Sequence, residues 1–510
     1  MNLINSSSIF AVETKDDRSI QLAESRMFSS AYNNDSFSLF FSHDVKRSIY
    51  KIQSSKDTFA TESFLPRIND STAKFSLAKK DLFGFSFKMP QYRISTSKNK
   101  KDYLKTAQEV VGINAVVWAY DKFLLNAGWA DISLRSIHRN FNDGFDWDAN
   151  SFLCNQFEHP YHGAMYYSAA RINRLKFFES AIYTFFGSLT WELFWEVNRP
   201  STNDVIMTTF GGIILGETLF RIADLVLDES SRGYERVFRQ SLAFLINPAF
   251  GYKIFAGKAF QIGNRPQKHY YNIEFPIGVC SLFTKKPNLV IATHLEYKDA
   301  FKSEISKLNP YDWFLFDFRL GINDEGFRDK EIYTTGLLIG KKVRNGLAGL
   351  FGVFDYVDSR IAEKMSAVGV GPGFVTNYIS DSTLFLKSYG VLSVIFGGSS
   401  SSLDQKYYHI GEGTDRPYYF GLGMLGRIEL ELGKKGLGSI HTGFSQYWEH
   451  FTLTRAHEFL SILSLNLKYD LSNRSQISVG YEYYLRHGAH HEQRMTRSKN
   501  VMRALYVIKF

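Results

Sequence analysis

The spacing of apolar residues changes near residue 249, from a helical pattern to alternation with polar residues. From Tyr271 to Val279, and again from Phe420 to Leu432, apolar side chains hold nearly every second position. A period of two predicts strands with one apolar and one polar face. Runs of this kind recur about 12 times and are about ten residues long, which is the length of a transmembrane strand.

The lengths of the predicted connections indicate a closed barrel in a membrane. The predicted strands lie near 269–281, 289–298, 311–321, 332–343, 346–355, 365–378, 383–396, 417–432, 438–448, 457–470, 474–487 and 500–510. Short turns near 345, 380, 434 and 472 alternate with long polar connections near 324, 359, 401, 452 and 491. This alternation is typical of outer-membrane barrels, which have short periplasmic turns and long external loops. An even number of strands also places both ends of the barrel on the periplasmic side.

The last predicted strand carries a second sign of an outer-membrane barrel. Ala504, Tyr506 and Ile508 share one face with the terminal Phe510. An alternating strand that ends on an aromatic residue resembles the signal by which bacterial outer-membrane barrels are recognised. We therefore expect outer-membrane lipid and, through Phe510, the barrel-assembly machinery as partners. The alternative is a soluble all-β domain, but an open apolar face of this size would aggregate.

A helix over about Thr106 to Trp129 is predicted to lead into a central stretch of three more, from His159-Pro160 to about Lys176, from about Phe178 to Asn198, and from about Thr202 to Asp228. Proline suits a first helical turn, and Arg199-Pro200-Ser201 supplies a turn and a cap. We divide the chain into a weakly structured region at 1–104, a helical domain at 105–248 and a barrel at 249–510. The predicted fold is thus α+β, a helical domain followed by an antiparallel transmembrane barrel of about 12 strands. The helical domain is expected at the periplasmic mouth or in the lumen.

Two carboxylates in the second helix do not belong to a solvated face. Glu192 and Glu196 are four residues apart in a segment of Phe, Leu and Trp, so both leave the same side of an apolar helix. Like charges at this spacing destabilise a helix unless something compensates them. The pair of glutamates therefore indicates a functional site, where another group compensates the two charges.

The third helix has a stripe of small and polar residues that includes Asp204 and Thr208. A glycine inside a helix costs about 1 kcal/mol relative to alanine, so the adjacent Gly211 and Gly212 indicate close approach of another backbone or a ligand. We expect a hairpin in which the two glutamates face this stripe. His159 or His162 would join it from the first helix.

Composition and charge narrow the function only a little. The net charge is +9 over 510 residues, and no basic block is interleaved with aromatic residues, so nucleic acid is not an expected partner. Cys154 and Cys280 lack metal-ligand spacing, which argues against a disulfide framework or a cysteine–zinc cluster. The longest charge-free apolar runs have only about 12 residues, whereas a transmembrane helix needs about 20, so no transmembrane helix is predicted. The segment from Met1 to Ala11 lacks the basic start and apolar run of an export leader, so we expect a leader that was removed or a start that is late.

Four motifs carry a resemblance to a known family: HPxxG from His159, WExxxE from Trp191, PSxND from Pro200 and TxxGGxxxGE from Thr208. They resemble the motifs of uncharacterised bacterial outer-membrane proteins defined by a numbered domain of unknown function, over about 147–228. The resemblance implies location and architecture and brings no established activity. The order of His, Glu, Asp and Gly is also remotely similar to VanZ-like helical hairpins, from which this chain differs in lacking their transmembrane helices and an Asp-Lys pair.

Two functions remain open. The first is an enzyme that acts on a lipid or another envelope component, with the candidate catalytic residues His159, Glu192, Glu196 and Asp204. Binding or structural support is assigned to His162, Arg171, Thr208, Gly211, Gly212, Glu217 and Arg221. Histidine with carboxylates permits a divalent metal as cofactor, although the HExxH pattern is absent. The second function is a non-enzymatic barrel, a channel, transporter or structural protein, plugged or gated by the helical domain. In that case Glu217 and Arg221 simply form an ion pair.

Overall fold

The computed structural model describes residues 100–510, except 149, 228–230, 252–268, 281–285, 304, 360–362, 380–382, 402–417, 452–455 and 491–492. The predicted weakly structured region at 1–104 lies almost entirely outside the described residues. The helices are α1 Tyr103–Phe123, α2 Leu134–Asn142, α3 His159–Ile172, α4 Phe177–Phe194, α5 Thr202–Val226 and α6 Gly233–Ile246. The three predicted central helices correspond to α3, α4 and α5 and end within a few residues of the expected positions.

The strands of the sheet are β1 Tyr271–Cys280, β2 Asn288–Tyr297, β3 Phe314–Asn323, β4 Gly326–Val343, β5 Gly346–Ser359, β6 Lys364–Ile379, β7 Leu384–Ser401, β8 Tyr419–Lys434, β9 Gly438–Phe451, β10 His457–Ser472, β11 Ser475–His490 and β12 Gln493–Lys509. They pair antiparallel in chain order, and β1 pairs with β12, so the sheet closes into a barrel. Closure leaves no edge strand with unpaired backbone groups. The predicted fold, a helical region followed by an antiparallel barrel of 12 strands, is confirmed.

Two strands begin earlier than the apolar alternation predicts. β4 starts at Gly326 rather than near 332, and β12 starts at Gln493 rather than near 500. Both extensions are rich in charged residues, yet they pair with β3, across one register shift, and with β11. Backbone pairing does not require an apolar face, so these hairpins continue past the point where the alternation ends.

Along each strand, one set of side chains faces the lumen and the other faces outward. Asp355 identifies the inward set of β5, because its carboxylate accepts a 2.7 Å hydrogen bond from Arg427 on β8, three strands away. Tyr447 of β9 donates to the same oxygen at 2.8 Å. The opposite set carries exposed apolar residues such as Leu392 and Ile428. The barrel therefore has a polar interior and an apolar exterior, as strands in a bilayer require.

Ion pairs fill the lumen. Arg319 of β3 lies 2.8 Å from Glu331 and 3.0 Å from Glu482. Arg503 of β12 contacts the same two carboxylates. Among the described lumen residues a cavity of about 90 Å³ remains, which is room for a few water molecules. A small barrel whose own side chains occupy its interior has this character.

α5 packs on the outer wall of the barrel. Thr218 Oγ1 of α5 lies 2.9 Å from Thr334 Oγ1, whose neighbour Thr335 lines the lumen, so Thr334 points outward. Ile214 of α5 packs over Gly352, which is also outward because Asp355 points inward. Of the two positions expected for the helical domain, the periplasmic mouth and the lumen, the lumen is therefore not where α5 lies. Ion pairs already fill the interior, whereas the outward apolar side of several strands offers a complementary surface.

One helix departs from the prediction that no segment could cross a membrane. Among the described residues, α5 is long and apolar enough, by length and composition, to cross a membrane. Its most apolar stretch has a mean hydropathy of 1.4, and 56% of that stretch is buried. The prediction counted only charge-free runs and so excluded Asp204 and Glu217, which the helix includes. In this fold α5 packs between α3 and the barrel wall.

We expect Arg427→Met to destabilise the barrel by about 3–5 kcal/mol, because it leaves Asp355 charged and unpaired in the lumen. The double variant Arg427→Met/Asp355→Leu should recover most of this loss, since no uncompensated charge remains. Urea titration of the heat-modifiable band on gels measures both changes. Equal destabilisation in the single and double variants would contradict this account.

Candidate metal centre

α3 and α5 cross with their backbones in contact. A Cβ on Gly163 would lie 1.8 Å from the carbonyl oxygen of Thr208, and a Cβ on Gly212 would lie 2.6 Å from the backbone of Gly163. Gly216 continues the contact against the next turn of α3. Small residues at a helix crossing allow such close approach. The close contact predicted for the glycine stripe is present, and α3 is the partner.

A π turn lies on each helix at this crossing. Cys154–Glu158 forms one immediately before α3, and Met207–Gly211 forms the other within α5. A π turn adds one residue to a helical turn and so re-aims the side chains that follow it, and such turns are frequent at functional sites. Here the two turns bring His159 and Thr208 face to face, with 3.3 Å between Nδ1 and Oγ1.

His159, Glu192 and Asp204 form a cluster with the composition of a metal site. One ligand atom from each lies within 4.8 Å of the other two, and His159 Nε2 is 3.5 Å from Asp204 Oδ2. Two ligands at about 2.0–2.1 Å from a tetrahedral zinc ion lie about 3.4 Å apart, so the pair is spaced for a shared ion. The side chains of His159 and Asp204 are 12% and 3% exposed, and Glu192 is 1% exposed.

Hydrogen bonds orient the ligand atoms. If Nδ1–H of His159 donates to Thr208, Nε2 remains free to bind an ion, which is the usual support for a histidine ligand. The backbone N–H of Ser201 donates to Glu192 Oε2 at 2.8 Å. The turn between α4 and α5 therefore fixes the glutamate, while the second π turn fixes the histidine.

Asp148 adds a further carboxylate that the sequence analysis did not assign to the site. Asn203 Nδ2 donates to Asp148 Oδ1 at 2.6 Å and to Asp204 Oδ1 at 2.9 Å, so one amide joins both acids. Asn155 also donates to Asp148 Oδ1, at 2.6 Å. Asp148 Oδ2 is buried without a hydrogen-bond partner. The acidic, aromatic loop ahead of the motifs was the signal that could have identified this residue.

The cluster is acidic, and no described lysine or arginine forms an ion pair with its carboxylates. Burial raises the pKa of Glu192 well above its usual range, and the negative charge of Glu196 adds to the shift. Burial, with Asp148 contributing, also raises the pKa of Glu196 to about 8. Burial lowers the pKa of His159, so its imidazole is neutral near pH 7. Neutral imidazole and carboxylate are ligands for Zn²⁺ and other divalent transition metals, and a dication would remove the repulsion.

Glu217, in contrast, is fully compensated. Arg171 Nε donates to it at 2.7 Å, Arg221 Nε at 2.8 Å and Tyr167 OH at 2.9 Å. The ion pair predicted between Glu217 and Arg221 is present. These residues join α3 to α5 and stay outside the metal cluster.

His162 also lies outside the cluster. Its Nε2 is 2.8 Å from Tyr166 OH, and its ring packs edge-on against Trp191. Burial and the neighbouring His159 lower the pKa of His162 to about 3. Of the two candidate histidines, the fold brings His159 to the carboxylates and places His162 in the packing between α3 and α4. Gly211 packs against Pro160 and likewise supports the crossing.

Comparison with known proteins adds a family match and a likeness in the barrel. Residues 144–249 match a family described as a domain of unknown function, DUF3943. This segment contains the whole cluster and the helices α3 to α6. No curated protein matches the chain.

Solved outer-membrane barrels are similar to about half of this chain. A loop-deletion mutant of OmpT, an outer-membrane protein of Vibrio cholerae, is 9% identical, with 48% of this chain and 99% of that chain covered and a TM-score of 0.22. An anion-selective porin from Comamonas acidovorans is 6% identical over 48% and 99%, with a TM-score of 0.23. The outer-membrane protease OmpT from Escherichia coli is 7% identical over 47% and 96%, with a TM-score of 0.19. None of these likenesses bears on activity.

We expect Gly212→Ala to separate α3 from α5 and to weaken metal binding, because the added Cβ would lie 2.6 Å from backbone atoms of Gly163. Zinc titration of the purified protein measures the affinity. Gly112→Ala in α1 is the matched control, since a Cβ there has no neighbour within 4 Å. An unchanged affinity in Gly212→Ala would contradict the dependence of the site on this crossing.

The metal-free site should be sensitive to pH. The pKa of Glu196 rises from 4.5 to about 8 on folding, so the folded state holds a proton that the unfolded chain has released. This contribution to stability is present below pH 4.5 and is lost as the pH rises through about 8. We expect lower protection against hydrogen exchange in 152–212 at pH 8 than at pH 6, after each rate is corrected for the base-catalysed intrinsic rate, and we expect a divalent cation to raise the protection at pH 8. Protection that is higher at pH 8 without metal would refute the expectation.

Proposed function

We propose that this chain is an integral outer-membrane barrel protein whose helical region is a divalent-metal-dependent enzyme acting on a lipid or another envelope component. The observation that carries the proposal is the cluster of His159, Glu192 and Asp204, buried together without a basic partner among the described residues. Three protein ligands are typical of catalytic metal sites, because a further position is left for water or substrate.

The outer-membrane location is supported by the exterior of the barrel. Leu463, Leu465 and Leu467 of β10 are all exposed and share the outward face. A band of this kind on a closed barrel fits a bilayer. The backbone N–H of Phe510 donates to Ile273 at 2.9 Å, and its ring is 55% exposed. This exposed ring fits recognition by the barrel-assembly machinery.

The cluster residues have separate roles in the proposed chemistry. His159, Glu192 and Asp204 would hold the cation, and a bound cation would supply a Lewis acid for a carbonyl or phosphoryl oxygen. Glu196 has a pKa raised to about 8, so it exchanges protons near neutral pH and suits general acid–base work. His159 is the most exposed ligand of the three and marks the edge from which a substrate reaches the site.

A second candidate is a non-enzymatic barrel in which the cluster only ties the helices together. The near-complete burial of Glu192 and Asp204 favours this function, since structural metal sites are closed. Gating by a lumenal plug has no such support, because α5 packs on the outer wall and ion pairs occupy the lumen.

Glu192→Gln and Asp204→Asn test the proposal in the cells that make the protein. We expect each to lower the metal content of the purified protein more than about 10-fold. The envelope lipid profile, measured by mass spectrometry, should shift to that of the deletion strain while heat-modifiable migration of the barrel persists. Glu179→Gln on α4 and Asp224→Asn on α5 are matched controls and should retain both the metal and the profile.

The outcomes separate the two candidates. Loss of the metal with an unaltered lipid profile in both variants and a shifted profile in the deletion would overturn the enzyme and leave a structural metal site. Collapse of the barrel in both variants would assign the carboxylates to structure alone.

A further inference from the structure

α4 has its small and polar residues inside and its large apolar residues outside. The buried side of its central part consists of Ser180, Thr184, Gly187 and Ser188. The exposed side consists of Phe178, Ile182, Phe185 and Phe186, which are 57%, 56%, 41% and 54% exposed. A water-soluble helix has the opposite arrangement, with its apolar stripe against the core.

The inward side of α4 is explained by close packing. A Cβ on Gly187 would lie 2.6 Å from the ring of Tyr166 on α3. The hydroxyls of Ser180 and Thr184 each donate to the backbone carbonyl four residues earlier, at 3.0 Å. Their polar groups are therefore satisfied within the helix. Helices in lipid pack in this way, through small residues and internally bonded hydroxyls.

The outward side of α4 belongs to a surface that continues onto the barrel. Phe210, in the π turn of α5, is 41% exposed and lies 4.9 Å from Phe396 of β7, centroid to centroid. Leu392 and Val394 follow on the exposed outward face of the same strand. The helices and the barrel thus share one apolar exterior.

The dimensions of this face fit one leaflet. From Phe178 to Phe186 an α-helix rises about 12 Å, within the depth of about 15 Å that half of a hydrocarbon core provides. Residues 180–191 carry no charge. The ion pair between Lys101 and Glu179, 2.7 Å long, lies at the start of the helix and marks its polar end.

We infer that the outer face of α4 contacts the acyl chains of the membrane around the barrel. The helices that hold the metal cluster are then part of the lipid-facing surface rather than a domain surrounded by water. Glu192 lies on the same helix six residues after Phe186, so the cluster lies beside the bilayer. This inference rests on the outer-membrane location proposed above.

A photoreactive benzoylphenylalanine tests the contact in native envelopes. It replaces Ile182 or Phe186 on α4, Leu465 on the barrel exterior, or Lys435 in a turn, and adducts are identified by mass spectrometry after irradiation. We expect phospholipid adducts at Ile182 and Phe186 with a yield similar to that at Leu465. At Lys435 we expect no phospholipid adducts. Heat-modifiable migration confirms that each variant is folded.

Other outcomes overturn the inference in distinguishable ways. Protein adducts at Ile182 beside lipid adducts at Leu465 would assign the face to a protein partner. An absence of adducts at Ile182 and Phe186, as at Lys435, would place α4 in water. An absence of lipid adducts at Leu465 would refute the outer-membrane location itself, and the inference with it.

Discussion

The contact between the backbones of α3 and α5 is the constraint on which the candidate site depends. Because Gly163 and Gly212 have no side chains, the two helices approach closely enough for His159 to reach Asp204 and Thr208. A larger side chain at either glycine would push the helices apart and so separate His159 from Asp204 and Thr208, without touching these residues directly. The glycines have no side chain that could bind an ion, and they affect the site only by setting the distance between the two helices.

The chain compensates its buried charges in two different ways. In the lumen and around Glu217, carboxylates such as Glu217, Glu331 and Asp355 meet arginines, and their charges are compensated within the protein. At Glu192 and Asp204 the described residues supply no such partner. Burying an uncompensated charge is unfavourable by several kcal/mol (about 3–5 when one partner of a pair is removed), so a proton or a cation must complete the cluster. This difference in charge compensation distinguishes carboxylates that anchor the packing from carboxylates of a candidate site better than burial alone does.

Much of the fold followed from local signals. Strict alternation and turn spacing identified all of the strands, because the bilayer and the lumen impose opposite demands on successive residues. The bounds of α3 to α5 followed from Pro160 and the Pro200 turn in the same way. The position of the helices did not follow, because the lumen ion pairs that exclude them join strands distant in sequence, as Arg427 joins Asp355. The choice of His159 over His162 could not be predicted, because it depends on a π turn, which has no recognised sequence signal. Asp148 could not be assigned to the site because it comes from a separate loop.

The two π turns set the register of the site through chain length. Each holds one residue more than an α-helix would need, so the deletion of one residue from Cys154–Glu158 would leave a continuous helix of ordinary geometry. The side chains after the deletion would keep their order but turn by about 100° relative to those before it. The two halves of the helix could then not both keep their present neighbours, even though nearly every residue was unchanged. A comparison of related chains that scored only residue identity would miss such a loss, whereas one that counted the spacing between Asp148 and His159 would reveal it.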